Sequence, residues 1–432
     1  MVRLAFVVAS VLAFAGCKTE NRAFCANPAN AGLEGCPGDA TNGGACGSNG
    51  DCKVAGFAIC DTTVNSGTCV QCTTAMHDAC TSTTPVCASD ACVACTAHSQ
   101  CPSRACLLDG SCADATQVAY VRQGGGGAAC TDAVPCGKVS DGAKAGKPIV
   151  KVEGMITDDK SIVVDGKPIQ IVADVGAKLT RTGAGVILDV KNAGADVRVS
   201  DLEITGGMGM KTDPMLSLSG TGAPKLTLVR VHLHDNQGIG VVAVAGLLTV
   251  SQSTLSANAG GAMSITNTPF DVTNNIIAGN GVATGSGATT LGGIFLNVID
   301  VSPRTLSFNT IVGNGANMGL AAGVICTLGG AVTFSNNIVW DNTSGTGKLQ
   351  FSGNCNWSYS DVGDAGTTTP PSGTGNLSAD PLFTTPGGTY HLTMNSPAKD
   401  AADPAPTLTV DIDGDTRPQG MRSDIGADEF KP

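Results

Sequence analysis

Residues 274–281 read "NNIIAGNG", and the phrase returns as "NTIVGNG" at 309–315 and as "NNIVWDN" at 336–342. An asparagine, two aliphatics and a second asparagine recurring with so little charge mark a structural repeat rather than a reactive group. Aligned on the closing residue, the series extends to "LEITGG" (202–207), "VHLHDN" (231–236), "STLSAN" (253–258), "NIIAGN" (275–280), "NTIVGN" (309–314) and "NIVWDN" (337–342). The closing asparagines Asn236, Asn258, Asn280, Asn314 and Asn342 lie 22, 22, 34 and 28 residues apart. Unequal spacing predicts coils of one solenoid, with loops of different length inserted at the corners. An apolar-x-apolar strand cannot bury its inner face alone, but coils stacked at about 4.8 Å build a continuous aliphatic column. Asparagine tolerates left-handed turns and can bond its counterpart one coil away, so these five residues are expected to form a ladder.

Composition agrees. The 432 residues include 58 Gly, only 14% charged and 4% aromatic side chains, and carry a formal net charge of −11. Short aliphatic strands at 148–154, 161–174, 185–192 and 197–207 are broken by Gly, Asn and Asp, with no stretch of long amphipathic helical period. The acidic balance, without a basic patch, argues against nucleic acid as a partner.

The N-terminus has a different character. Residues 1–16 carry one cation, Arg3, and an apolar run, as an export signal does. "FAGC" (14–17) resembles a bacterial lipobox, with Phe14 where that pattern prefers Leu; the resemblance implies lipidation of Cys17, and Lys18 implies sorting to the outer membrane. Cleavage of an ordinary signal peptide nearby is the alternative. Of 19 cysteines, setting aside Cys17 leaves an even number, which in an exported chain reads as a disulfide framework. Fourteen lie between Cys25 and Cys112, with Cys25 and Cys36 as a separate pair and the rest in three groups of four: Cys46 to Cys69, Cys72 to Cys92 and Cys95 to Cys112. The pairs Cys69/Cys72 and Cys92/Cys95 have zinc-ribbon spacing, but export and the intervening cysteines favour disulfides, with His77 and His98 as loop residues. Cys130 with Cys136, and Cys326 with Cys355, are further disulfide candidates. The organisation expected is a signal peptide (1–16), an anchored linker (17–45), Cys-rich repeats (46–116) and an all-β solenoid of roughly ten coils (117–432).

The pattern resembles the right-handed parallel β-helix proteins, the fold of pectate lyases and many surface proteins. The tail, "ADPLF" (379–383), "NSPAKDAAD" (395–403), "DIDGDTRP" (411–418) and "DIGADEF" (424–430), is similar to the close of bacterial surface β-helices called choice-of-anchor domains. "AYVRQGGGGAACTDAVPC" (119–136) resembles their opening. Members attach by different devices, which implies a lipid anchor at Cys17 here.

Candidate chemistry centres on "TLVRVHLHDN" (227–236). Alternation places Arg230, His232 and His234 on one outer face, with Asp201 and Glu203 one coil below Arg230 and His232 and with Gln252, Thr254 and Ser256 above. β-Helix lyases and hydrolases work on such faces with carboxylates and a basic residue; opposite charges on neighbouring strands also simply stabilise a sheet. Trp340 and Trp357 are expected to form a stacking platform or to pack under loops. Asp411, Asp413 and Asp415 offer closely spaced oxygens for Ca²⁺, the one cofactor considered, or a structural turn in which Arg417 bonds Asp411 or Asp424. The leading expectation is a cell-surface lipoprotein displaying a β-helix for adhesion or for recognition of polysaccharide or another surface protein, without catalysis. The alternative is a polysaccharide lyase or glycoside hydrolase.

Overall fold

The computed structural model describes residues 46–432 apart from 54, 64–66, 77–78, 300, 331, 367–368, 386–387 and 406–407. The export signal, Cys17, Lys18, Cys25, Cys36 and His77 lie outside the described residues. The chain divides into two compact units, one reaching Pro102 and including Cys106–Cys112, the other comprising Ser103–Ala105 and Ala113–Pro432.

In the first unit the disulfides follow one rule. Each group of four pairs first with third and second with fourth: Cys46–Cys60 and Cys52–Cys69, Cys72–Cys87 and Cys80–Cys92, Cys95–Cys106 and Cys101–Cys112. All four cysteines of the zinc-ribbon spacing are thereby consumed. Short hairpins, Ile59–Asp61 with Thr68–Val70 and Val86–Ala88 with Ala91–Val93, cross these bonds. Its buried apolar residues are mostly half-cystines; cross-links replace a core that this segment is too poor in aliphatics to build.

The second unit is a right-handed parallel β-helix. Among the described residues it has parallel sheets of ten, nine and eight strands, and in each the strand order follows the sequence order. One coil runs Lys225–Val229, His232–His234, Ile239–Ala243, and the next runs Leu247–Ser251, Thr254–Ser256, Gly261–Thr266. Strands of the nine-stranded sheet are short, and most give one side chain to the interior. Ile156, Leu179, Ile204, Leu233, Leu255, Ile277, Ile311, Val339 and Val362 stack in register through all nine. Each is buried, and burying one such side chain stabilises by about 1.5–3 kcal/mol. Ile277 therefore lies mid-strand, in Ile276–Ala278. The helix Val139–Lys144, absent from the all-β expectation, lays Val139 and Ala143 against the first coils, and Gly142 has no room for a Cβ beside Val121 and Val150. Cys130–Cys136 and Cys326–Cys355 are both bonded.

The asparagine ladder is present, with one correction. The left-handed residue is the one before each asparagine: Asp235, Ala257, Gly279, Gly313 and Asp341. The asparagine itself turns inward and is fully buried. Asn280 Oδ1 accepts from the backbone N–H and the side-chain amide of Asn258 at 3.0 and 2.9 Å, and its Nδ2 donates to Leu255 O and to Asn314 Oδ1. Gln350 takes the last rung above Asn342. Loops swell at the corner after this ladder, which accounts for the longer intervals. A second ladder runs along the other corner of the same sheet through Ser253, Asn275, Asn309, Asn337 and Ser360. It too follows left-handed residues: Gln252, Asn274, Phe308, Asn336 and Tyr359. Each repeat thus spells corner, rung, three-residue strand, corner, rung.

The C-terminal segment first pairs with the last coil, where Leu377 exchanges backbone bonds with Ser360 and Val362. It then returns along the outside of the nine-stranded sheet, where Leu392, Ala398, Ala402, Ile425 and Ala427 pack on Ile276, Ala278, Phe308, Val312, Ile338 and Trp340. Gln252 and Asn274 donate to the carbonyls of Asp411 and Val410, and Asp403 and Gly426 donate to Asn336. Arg417, fully buried, donates to Asp424 O, Gly426 O and the Glu429 carboxylate and lies over Phe308. Its carboxylate partner is Glu429, not Asp411 or Asp424. The tryptophans form no platform: Trp340 is covered by this segment, and Trp357 is inside the coil against Phe334 and Phe351.

Candidate functional site

The register puts Glu203 beside His232 and His232 beside Thr254, as alternation required. The five sequence candidates nevertheless separate into two groups. Arg230 is left-handed, at the corner rather than in the strand, and grips Asp201 with two bonds of 2.6 and 2.9 Å. Both are corner residues engaged with one another, an exposed pair of the kind that contributes about 0–1 kcal/mol.

The other group is a chain of partners across three coils. Lys178 and His234 both bond Glu203, at 2.7 and 2.8 Å, and the other nitrogen of His234 meets Asp235 at 2.7 Å. Burial works against the Glu203 charge, but the bonds from Lys178 and His234 outweigh it and hold its carboxyl below the usual range. His232 stacks on His234 with ring centroids 4.1 Å apart and touches Ser256 Oγ at 3.2 Å. Partial desolvation in this setting, reinforced by His234, pushes the His232 imidazole below its ordinary pKa and favours the uncharged ring.

His232 is also the point where the sheet meets the returning segment. His232, Thr254, Ser256, Ala257, Ile276, Ala278 and Gly279 form one side of a groove of about 500 Å³. Gly388, Thr389, Tyr390, His391, Ile412 and Asp413 form the other. Hydroxyls and imidazoles from both sides share this lining with Ile276, Ile412 and Tyr390. Tyr390 is a left-handed residue set edge-on to Phe383 at 5.3 Å between ring centroids.

The aspartates of "DIDGD" do not act together. Asp411 is buried, and its carboxylate accepts the backbone N–H groups of Asp413, Asp415 and Glu429. That is the structural-turn role. Asp415 pairs with Lys431 at 2.8 Å. Asp413 turns instead to His391, 3.0 Å away, near Asp428. Burial raises the Asp413 carboxyl, with Asp411 and Asp415 adding and His391 opposing; burial raises Asp428 to about 6.

Sequence reasoning missed Tyr390, His391 and Asp428. His391 is one of five histidines, and "TYHLT" (389–393) alternates as a strand would. Nothing local ties it to His232; that link exists only because the tail doubles back.

Residues 15–118 match a family described as being of unknown function, DUF8331. No curated protein matches the chain. Among solved structures, the crystal structure of pectate lyase Pel9A is similar at 13% identity and a TM-score of 0.44, over 73% of this chain and 96% of that one. The parallel β-helix itself rests on the sheet order and register of this chain.

Proposed function

We propose that the chain is a surface-attached protein that recognises polysaccharide in the groove between His232–Ser256 and Tyr390–Asp413. The observation that carries this reading is the groove's lining, in which hydroxyl and imidazole donors from two sides converge over apolar patches. Sugars present the same mixture of hydroxyl rims and apolar ring faces, and pockets that bind them place a few polar groups on an apolar bed. Attachment through lipid at Cys17 in the outer membrane, as expected from "FAGC", belongs to the same proposal, as does a choice-of-anchor role for the tail. Cys17→Ser is expected to shift the protein from the membrane to the soluble fraction on fractionation.

One observation favours the second reading, a lyase or hydrolase. Neutral His232 stacked on a carboxylate-held His234 has the character of a general base. The test is a panel of acidic and neutral polysaccharides, with binding and unsaturated or reducing-end products measured together. Recognition predicts saturable binding that falls at least about 10-fold, roughly 1.4 kcal/mol, in Tyr390→Ala and His232→Ala but not in Asp201→Ala. Products lost in His232→Ala establish the enzyme. Binding that survives both groove variants refutes the site.

A further inference from the structure

The geometry points to a transition-metal site, of the kind occupied by Zn²⁺, formed by His391, Asp413 and Asp428 at the wall of the groove. One ligand atom from each lies within 4.8 Å of the other two, and His391 Nε2 and Asp413 Oδ2 are 3.0 Å apart. Zn–N and Zn–O bonds of about 2.0–2.2 Å place donor atoms about 3.3–3.6 Å apart around a tetrahedral ion. The His391–Asp413 pair therefore has to open by about 0.3–0.6 Å while Asp428 closes in on both. Its residues come from three separate places in the tail, so folding of the returning segment is what assembles it.

A second observation concerns Asp428 alone. It is only 7% exposed. One carboxylate oxygen accepts the Leu392 N–H at 2.6 Å, while the other has no hydrogen-bond donor among the described residues. A buried carboxylate with one oxygen fixed by backbone and the other open is oriented as metal-ligating carboxylates are by their outer partners. The imidazole decides the class of ion. Ca²⁺ takes six to eight oxygens, whereas one nitrogen and two carboxylates suit Zn²⁺ and its neighbours. His391 and Asp413 both line the groove, so a ligand position on that side is open to water or to a bound molecule. This site stands independently of the polysaccharide reading.

The experiment titrates the oxidised full chain with Co²⁺ followed by visible absorbance, then with Zn²⁺ and Ca²⁺ by calorimetry. Expected are one equivalent of Zn²⁺ that displaces Co²⁺, and cobalt d–d bands without a thiolate-to-metal band. His391→Ala and Asp413→Asn should each weaken Zn²⁺ more than about 100-fold, beyond the about 10–100-fold loss typical of an outer-sphere partner. Both are groove residues and are expected to keep the wild-type Tm in EDTA, so misfolding is separable from loss of a ligand. Absence of saturable binding, a thiolate band, unchanged affinity in both variants, or Ca²⁺ binding that survives His391→Ala would overturn the assignment.

Discussion

Asn280→Ala tests whether the ladders hold the coils together or merely decorate them. The substitution removes an acceptor used twice by Asn258 and a donor used by Leu255 O, Ala278 O and Asn314 Oδ1. All of this is shielded from water, and alanine supplies no replacement. The backbone N–H of Asn258 is stranded in the interior, and Leu255 O and Asn314 Oδ1 each lose one of their donors. At about 1–3 kcal/mol for the unsatisfied N–H and about 0.5–1.5 kcal/mol for each further bond removed, the loss is ~3–5 kcal/mol. For a unit of this size that corresponds to a fall in Tm of about 5–10 °C. Thermal unfolding by circular dichroism of the oxidised protein measures it. Asn309→Ala, in the ladder that the sequence did not disclose, removes the equivalent bonds to Asn275 and Val272 O and should cost a similar amount. A fall below about 1 °C in both would refute the reasoning, because a coil column that tolerates two stranded rungs does not depend on them.

Cys326→Ser with Cys355→Ser opens a crosslink of sequence separation 29 and should cost about 3–4 kcal/mol, read as a lower Tm under non-reducing conditions. Glu429→Gln leaves the buried Arg417 guanidinium without its carboxylate; a loss of about 3–5 kcal/mol is expected, with limited proteolysis detecting early cleavage after residue 390. Asp361 is buried, its Oδ2 lacks a partner, and burial raises its carboxyl to about 7. The folded state then holds a proton that the unfolded state releases near pH 4, so this group's contribution is full below pH 4 and is lost as pH rises through 7. Asp361→Asn should flatten that fall, seen as a smaller Tm difference between pH 5 and pH 8; an unchanged difference refutes the shift.

The column of interior aliphatics and the first ladder were legible because each repeat writes its asparagine in the same place. The second ladder was hidden by substitution: Ser253 and Ser360 occupy two of its rungs, and Phe308 fills a corner where asparagine stands in the neighbouring coils. The register of Glu203 under His232 followed from alternation, since period two fixes which side chains share a face. Arg230 escaped that logic because a left-handed corner interrupts the alternation just before His232. The groove was illegible for a different reason. Pairing of residues near 232 with residues near 391 and 413 depends on where the tail docks, and the apolar signal for that docking, Ile276, Val312, Ile338 and Trp340, reads in sequence as ordinary strand content.

That docked tail has a consequence for the order in which the molecule can be completed. Synthesis runs from the N-terminus, so every coil from Val118 to Gly363 is available for stacking before residues 390–430 emerge. During that interval Ile276, Val312, Ile338 and Trp340 form a continuous greasy strip on an already folded rod, an adhesive edge for any neighbouring chain at the same stage. The last tenth of the polypeptide is therefore its own built-in chaperone, and a chain cut short before it would be expected to accumulate as aggregates of well-formed coils rather than as unfolded polymer.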